Sequence, residues 1–410
     1  MNHPHPIDSI SRRQFVHRAS IGAAILASPS QLARAAAGAN ERIRIGMIGV
    51  GGRGSALLAD ILGQRQKKNV EIAALCDVYR KNLDAAAQRV RQSQGGSEPA
   101  RFSRYQDLLA FRDLDAVTIA TPDFSHGTLL VAALQARKDV YVEKPMTIDL
   151  EHANQAFDLA RANQCVVQAG TQRRSEGKFI SAAKMIAQGA LGTLNRIAAA
   201  YYVNQARWKR QNDPCTAADV DWDAYLLHLP KRPFNASLLR EWQLHRETSN
   251  GMPGLWMTHY ADATSMLTGA RYPSSAVAHG GTYVWKDGRE HADTFYALVD
   301  YPEGFLFNWG MGLGNAAGIH WTLHGTLGTI DMEKATFTPE RPKAQPAPLP
   351  PEPSLSHMGQ WLDCIRTRQR PNADIQFGHQ HVVATVMCAR ALETGQRQTY
   401  NPASRLILPG

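Results

Sequence analysis

The 410-residue chain carries 45 Lys and Arg against 36 Asp and Glu, a net charge of +9 with His neutral. With 44% hydrophobic and 20% charged residues, it is too apolar for a disordered chain and too long for a small binding module. Cores divide beyond ~250–300 residues, so two domains are expected. Past the N-terminus no apolar run reaches the ~18 residues of a membrane span, so no stable membrane anchor is expected. The five Cys at 76, 165, 215, 364 and 388 have neither metal-ligand nor disulfide-framework spacing.

Residues 11–15 read Ser-Arg-Arg-Gln-Phe, followed by a small, apolar stretch from Ala19 to Ala27 and by Ala33-Arg34-Ala35. In that order they resemble a twin-arginine export signal over residues 1–35, an address read by the export machinery. Its removal takes four Arg and one Asp and leaves 41 basic and 35 acidic residues. The remaining charge forms no basic stripe, so nucleic acid is not an expected partner. The expected location is periplasmic, with export in the folded state.

Ile43–Gly49 reads as a strand, with a helix expected from Gly54 to Gly63 and a second strand at Val70–Cys76. Helices over Asn82–Gln92 and Ser125–Ala136 alternate with strands at Ala116–Ala120 and Val140–Val142. Thr147 or Asp149 caps a helix that runs to Ala162, and Cys165–Ala169 is a further strand. This alternation predicts a parallel sheet with crossover helices, a dinucleotide-binding domain bounded at 41–165. Strand-like stretches without crossover helices then predict a large, mostly antiparallel open sheet with helices on one face, over 166–339. A Pro-rich connection at 340–354 leads to a C-terminal helical return at 355–410.

Gly49-x-Gly51-x-x-Gly54 lies directly after the first strand, and Asp77 ends the second. Gly49 suits a tight turn, Gly51 a close approach to a pyrophosphate, and Gly54 the packing of helix on sheet. Arg53 belongs to this loop. Asp77 can accept from ribose hydroxyls and would repel a 2′-phosphate, which favours NAD over NADP. Arg80 lies close enough in sequence to complicate that preference.

Glu143-Lys144-Pro145, with the glycine loop and Thr121-Pro122, resembles the family of glucose-fructose oxidoreductase and inositol dehydrogenase (Gfo/Idh/MocA). The resemblance covers about residues 42–395 and includes Thr171-Gln172-Arg173-Arg174 and His259-x-x-Asp262. It implies a Rossmann α/β domain followed by a large-sheet substrate and oligomerisation domain. It also implies NAD, contacted by Thr121, Pro122, His126, Glu143 and Lys144 as well as the glycine loop, and a sugar or glycoside substrate. Lys144 is the implied catalytic group, lying between nicotinamide and substrate and stabilising a developing oxyanion. His259 is the implied proton acceptor, with Asp262 either orienting it or satisfying local backbone. The family resemblance also implies a homodimer or homotetramer.

Gln172, Arg173 and His245 are substrate candidates. Trp208, Trp242 and Trp256 offer flat faces for sugar rings, and Tyr260 is a second candidate base or contact. His320 and His324 flank Trp321 without a carboxylate cluster, so no metal is expected. One departure stands out: Leu255 occupies the place where many dehydrogenases of the family carry an Asp, four residues before the His. Asp219, Asp221 and Asp223 are candidates to replace it, the alternative being that the change marks a different reaction on the same fold. The leading reading is a carbohydrate oxidoreductase that retains and recycles NAD. The alternative is an NAD-dependent glycoside hydrolase working through transient C3 oxidation and elimination. A non-catalytic sugar- or cofactor-binding protein is the third class, disfavoured by Lys144 and His259.

Overall fold

The computed structural model describes residues 42–209 and 215–410, so the expected export signal at 1–35 lies outside the described residues. The first half alternates strand and helix: β1 (Ile43–Ile48), α1 (Gly52–Gln64), β2 (Val70–Cys76), α2 (Arg80–Ser93), β3 (Ala100–Phe102), α3 (Tyr105–Ala110), β4 (Ala116–Ile119), α4 (Asp123–Gln135), β5 (Asp139–Val142), α5 (Leu150–Ala162) and β6 (Val167–Ala169). The strands stand in the order β3-β2-β1-β4-β5-β6. The pairs β2–β3, β1–β4, β4–β5 and β5–β6 are parallel. β4 and β5 are buried at every position, as helices on both faces of a parallel sheet require. β6 pairs with β5 through Val140 and Val167. The first domain therefore extends past residue 165, through Ala169.

The second half contains α6 (Gly177–Ala187), β7 (Leu194–Asn204), α7 (Trp222–Leu226), α8 (Ala236–Arg240) and α9 (Thr258–Thr268). Six strands follow: β8 (Ser275–Gly281), β9 (Thr294–Tyr301), β10 (Phe305–Gly312), β11 (Gly314–Gly325), β12 (Gly328–Asp331) and β13 (Thr336–Pro339). The short β14 (Ala347–Pro348), α10 (His357–Thr367), α11 (Ile375–Thr394), β15 (Gln398–Asn401) and β16 (Leu406–Pro409) complete the chain. The ten-stranded order is β14-β13-β12-β11-β7-β10-β9-β8-β15-β16, antiparallel except for β7–β10. The C-terminal segment is thus more than helical, because β15 pairs with β8 and extends the sheet edge.

β9 shows why one face is covered. Phe295, Ala297, Val299 and Tyr301 are buried, while Tyr296, Leu298 and Asp300 between them are exposed. On the covered face, Ala199 of β7 lies between Trp309 of β10 and Trp321 of β11, a small residue between two indoles. Phe179 from α6 and Tyr260 from α9 pack onto Trp321 at 5.2 and 4.5 Å. The Pro-rich connection lies along α6: Ser354 caps Gly177 N–H, and Ser181 donates to the Pro350 carbonyl. A Cβ on Gly177 would stand 2.0 Å from the Glu352 carbonyl, so only glycine allows this approach.

Candidate functional site

The loop between β1 and α1 turns at Gly49, whose φ is +82°. A Cβ on Gly54 would lie 2.0 Å from the Gly49 carbonyl oxygen, so helix and loop pack at a distance only glycine permits. α1 starts with no side-chain cap and no acidic residue in its first turn, which leaves its N-terminal amides open to an anion. Gly49, Gly51, Gly52, Arg53, Asp77, Thr121 and Pro122 line a cavity of about 670 Å³. These features fit a dinucleotide with its pyrophosphate at the helix end. Asp77 accepts from the amides of Val50 and Tyr79 at 2.9 and 2.8 Å, so the acid also fixes the loop. Burial pushes its carboxyl up, and those amides pull the other way.

The cavity has a roof that the sequence did not announce. Asp223, Tyr225, His228, Arg240 and Trp242, from the segment carrying α7 and α8, line its other side. The segment is fastened to the first domain by a bridge between Tyr79 and Val220 and by Asp221 N–H on the Val78 carbonyl. Asp219 pairs with Arg80 and Lys81, and Asp221 with Arg104. Asp223 pairs with Lys231. These three acids therefore do not replace the carboxylate missing at position 255: their charges are spent on fastening the roof or on a local exposed pair. Arg80 is likewise occupied by Asp219.

Lys144 follows β5 and enters a cis bond to Pro145. Its Nζ donates to the Leu255 carbonyl at 2.8 Å. Leu255 lies in a π-helical turn, Pro253–Met257, that runs directly into α9. Such turns shift the helix register and often occur at functional sites. Position 255 thus serves Lys144 through its backbone. Four residues on, His259 sits in a partly buried setting. Desolvation, then the positive charges of Lys144 and Arg173, hold its imidazole well below the usual histidine range, so it is neutral near pH 7. Glu143 pairs with Arg53 at 2.7 Å and accepts from Gln172 at 3.2 Å, which joins the glycine loop to the lysine turn.

Several expected contacts have other work. Asp262 does not orient His259: it accepts from Arg174 Nε at 2.8 and 3.0 Å, both side chains being buried. His381 lies 3.8 Å from Asp262 and accepts from Met146 N–H, two residues after Lys144. Asp262 therefore supports the lysine turn from behind. Arg174 and His381 were not legible as site residues, since one reads as a neighbour of Arg173 and the other as part of a core helix. His126 is buried between the carbonyls of Thr121 and Pro145 and ties two loops together, and it is not among the residues lining the cavity. Gln172 is engaged by Glu143 and the Tyr141 hydroxyl.

Tyr260 is fully buried, with the Arg173 guanidinium 4.4 Å from its ring, and faces the core, not a substrate. Trp256 stacks on Tyr201 at 4.3 Å with Arg207 also over its ring, so its π surface is engaged within the protein. Trp208 packs against the core edge at φ +68°, and His245 is held by Ser237 and Glu290 in the roof segment. Asp123 stands at the start of α4. It is 3% exposed, and its Oδ2 has no hydrogen-bond partner.

Residues 43–171 match the family model described as an oxidoreductase family with an NAD-binding Rossmann fold. The chain is 30% identical over 173 residues to a "Glycosyl hydrolase family 109 protein" of Shewanella baltica, covering 41% of this chain and 36% of that one. A protein of the same description from Shewanella pealeana is 30% identical over 223 residues, 49% of this chain and 47% of the relative. The chain thus spans less than half the length of these curated relatives. Among solved structures, the WlbA dehydrogenase of Bordetella pertussis, in complex with NADH and UDP-GlcNAcA, superposes with a TM-score of 0.67 at 20% identity, covering 88% of this chain and 99% of that one. The aldose-aldose oxidoreductase of Caulobacter crescentus gives 0.68 at 18%, covering 88% and 100%. These two likenesses extend the shared fold across both sheets. The N-terminal domain has the NAD-binding Rossmann fold that the family model describes.

Proposed function

We propose that the protein transfers hydride to and from a carbon of a sugar or glycoside, with Lys144 and His259 as the reacting pair. The observation that carries this reading is the Lys144 ammonium fixed on the Leu255 carbonyl, four residues before a histidine held neutral by desolvation and neighbouring cations. Bound NAD supplies the hydride acceptor and donor. Lys144 has three donors and commits one to Leu255, which leaves two for a substrate oxygen as negative charge develops on it. Neutral His259 accepts the hydroxyl proton. The roof fastened by Asp219 and Asp221 supports retention of the cofactor through the cycle. Folded export to the periplasm belongs to the same reading and rests on Arg12 and Arg13. Homo-oligomerisation through the open sheet face, where Tyr296, Leu298 and Ile319 are exposed, rests on that surface.

A second reading is favoured by the relatives named as glycosyl hydrolases. In it the sugar C3 hydroxyl is oxidised transiently and His259 removes the acidified C2 proton. The glycosidic oxygen leaves, water adds, and reduction at C3 restores the redox balance. Incubation of cofactor-loaded protein with free sugars and aryl glycosides in deuterated water separates the two. A keto sugar or lactone without bond cleavage supports net oxidation. Aglycone release with deuterium at C2 supports the hydrolytic route. Protein that neither contains nor binds a nicotinamide dinucleotide contradicts both.

A further inference from the structure

The carboxyl of Asp123 is buried without a hydrogen-bond partner on Oδ2, at the first residue of α4. A Cβ added to Gly254 would stand 3.8 Å from that oxygen and 3.6 Å from the Pro145 ring. The carboxyl therefore lies beside Gly254, which is flanked by the Pro145 ring and directly precedes Leu255, whose carbonyl takes the Lys144 ammonium. A buried carboxyl oxygen left unpaired costs free energy, and such groups call for an account. We propose that Asp123 is a positioning residue for Lys144: it holds the ammonium against the Leu255 carbonyl and supplies from α4 a carboxyl that the π turn does not.

The charged groups that face Asp123 are consistent with this. Lys144 and Glu143, in the turn after β5, act on its charge through space without a direct ion pair, and Glu143 is itself neutralised by Arg53 from α1. His126, on its own helix, is engaged by two carbonyls. From the π turn and α9, Gly254 and Leu255 bring no ionisable side chain, and His259 is neutral. Burial pushes the Asp123 carboxyl up to about 8, against the pull of Lys144 and with the push of Glu143. The acid thus gains or loses its proton around pH 8, and the grip on the ammonium changes with it.

The proposal rests on Lys144 being the central group, but its test does not need turnover. Carboxyl carbon resonances of the NAD-loaded protein would show Asp123 titrating near pH 8 in the wild type. In Lys144→Met, which removes the positive partner, that midpoint should move upward by about one unit or more. In Asp123→Asn, acylation of Lys144 at pH 9, read by peptide mass spectrometry against the other lysines, should quicken about three-fold or more, and Asp123→Glu should restore the wild-type rate. An Asp123 midpoint in the ordinary carboxylate range, or one that ignores Lys144→Met, overturns the proposal. So does Lys144 acylation unchanged in Asp123→Asn. Loss of turnover in Lys144→Ala tests the functional reading separately.

Discussion

Asp262 and Asp123 are both buried acids beside the Lys144–Pro145 turn, and the protein treats them in opposite ways. Behind the turn, where α9 meets α11, Asp262 lies between Arg174 and His381. Although burial pushes its carboxyl up, Arg174 and His381 bring it below the usual carboxylate range. In front, at the start of α4, Asp123 has no comparable partner, and burial prevails. The first arrangement makes a permanent ion pair, while the second leaves an acid whose charge can change. The contrast locates rigidity behind the lysine and adjustable electrostatics in front of it.

Three perturbations sharpen that contrast. The largest effect is expected for Arg174→Ala, which strands the Asp262 charge in the core; breaking such a buried pair costs ~3–5 kcal/mol. Chemical denaturation should show it, and a loss below 1 kcal/mol would mean that Asp262 is held by something else. Gly54→Ala should lower dinucleotide affinity by about 10²-fold, since the new Cβ forces the loop away from α1. Calorimetric titration reads this directly, and wild-type affinity would remove the glycine loop from the cofactor site.

The smallest effect is the most diagnostic. Because the folded Asp123 carboxyl binds its proton more tightly than the unfolded one, it costs stability as pH rises from the unfolded value towards about 8. Asp123→Asn should therefore melt about 3 °C or more above the wild type at pH 9, with the advantage shrinking as pH falls towards 4. Asp262 has the opposite sign. Its contribution is present above the unfolded carboxylate pKa and is lost as pH falls through its depressed folded value. A melting difference for Asp123→Asn that is flat with pH would mean that folding leaves the proton affinity of the Asp123 carboxyl unchanged.

What could be read from the sequence follows from the range of the forces involved. The glycine loop after β1 and Glu143-Lys144-Pro145 after β5 are governed by sterics over a few residues, and both lie where the sequence pattern puts them. Asp123 directly follows Thr121-Pro122, yet an acid in the first turn of a helix is usually solvated, and nothing local marks this one as buried. At Leu255 the side-chain pattern shows only a missing carboxylate; the π turn gives that position its use through the backbone, which no side-chain pattern encodes. The pairing of Arg174 with Asp262 and the roof over the cofactor cavity join segments roughly 90 to 140 residues apart, and only the fold brings them together.

The central claim is that Lys144 carries the hydride chemistry. It is tested most directly by preparing Lys144→Ala with its dinucleotide content verified and following nicotinamide absorbance after mixing with a sugar or glycoside on which the wild type acts. The account predicts a loss of about 10²-fold or more in the rate of nicotinamide reduction at unchanged cofactor content. Reduction at the wild-type rate in that variant would contradict it.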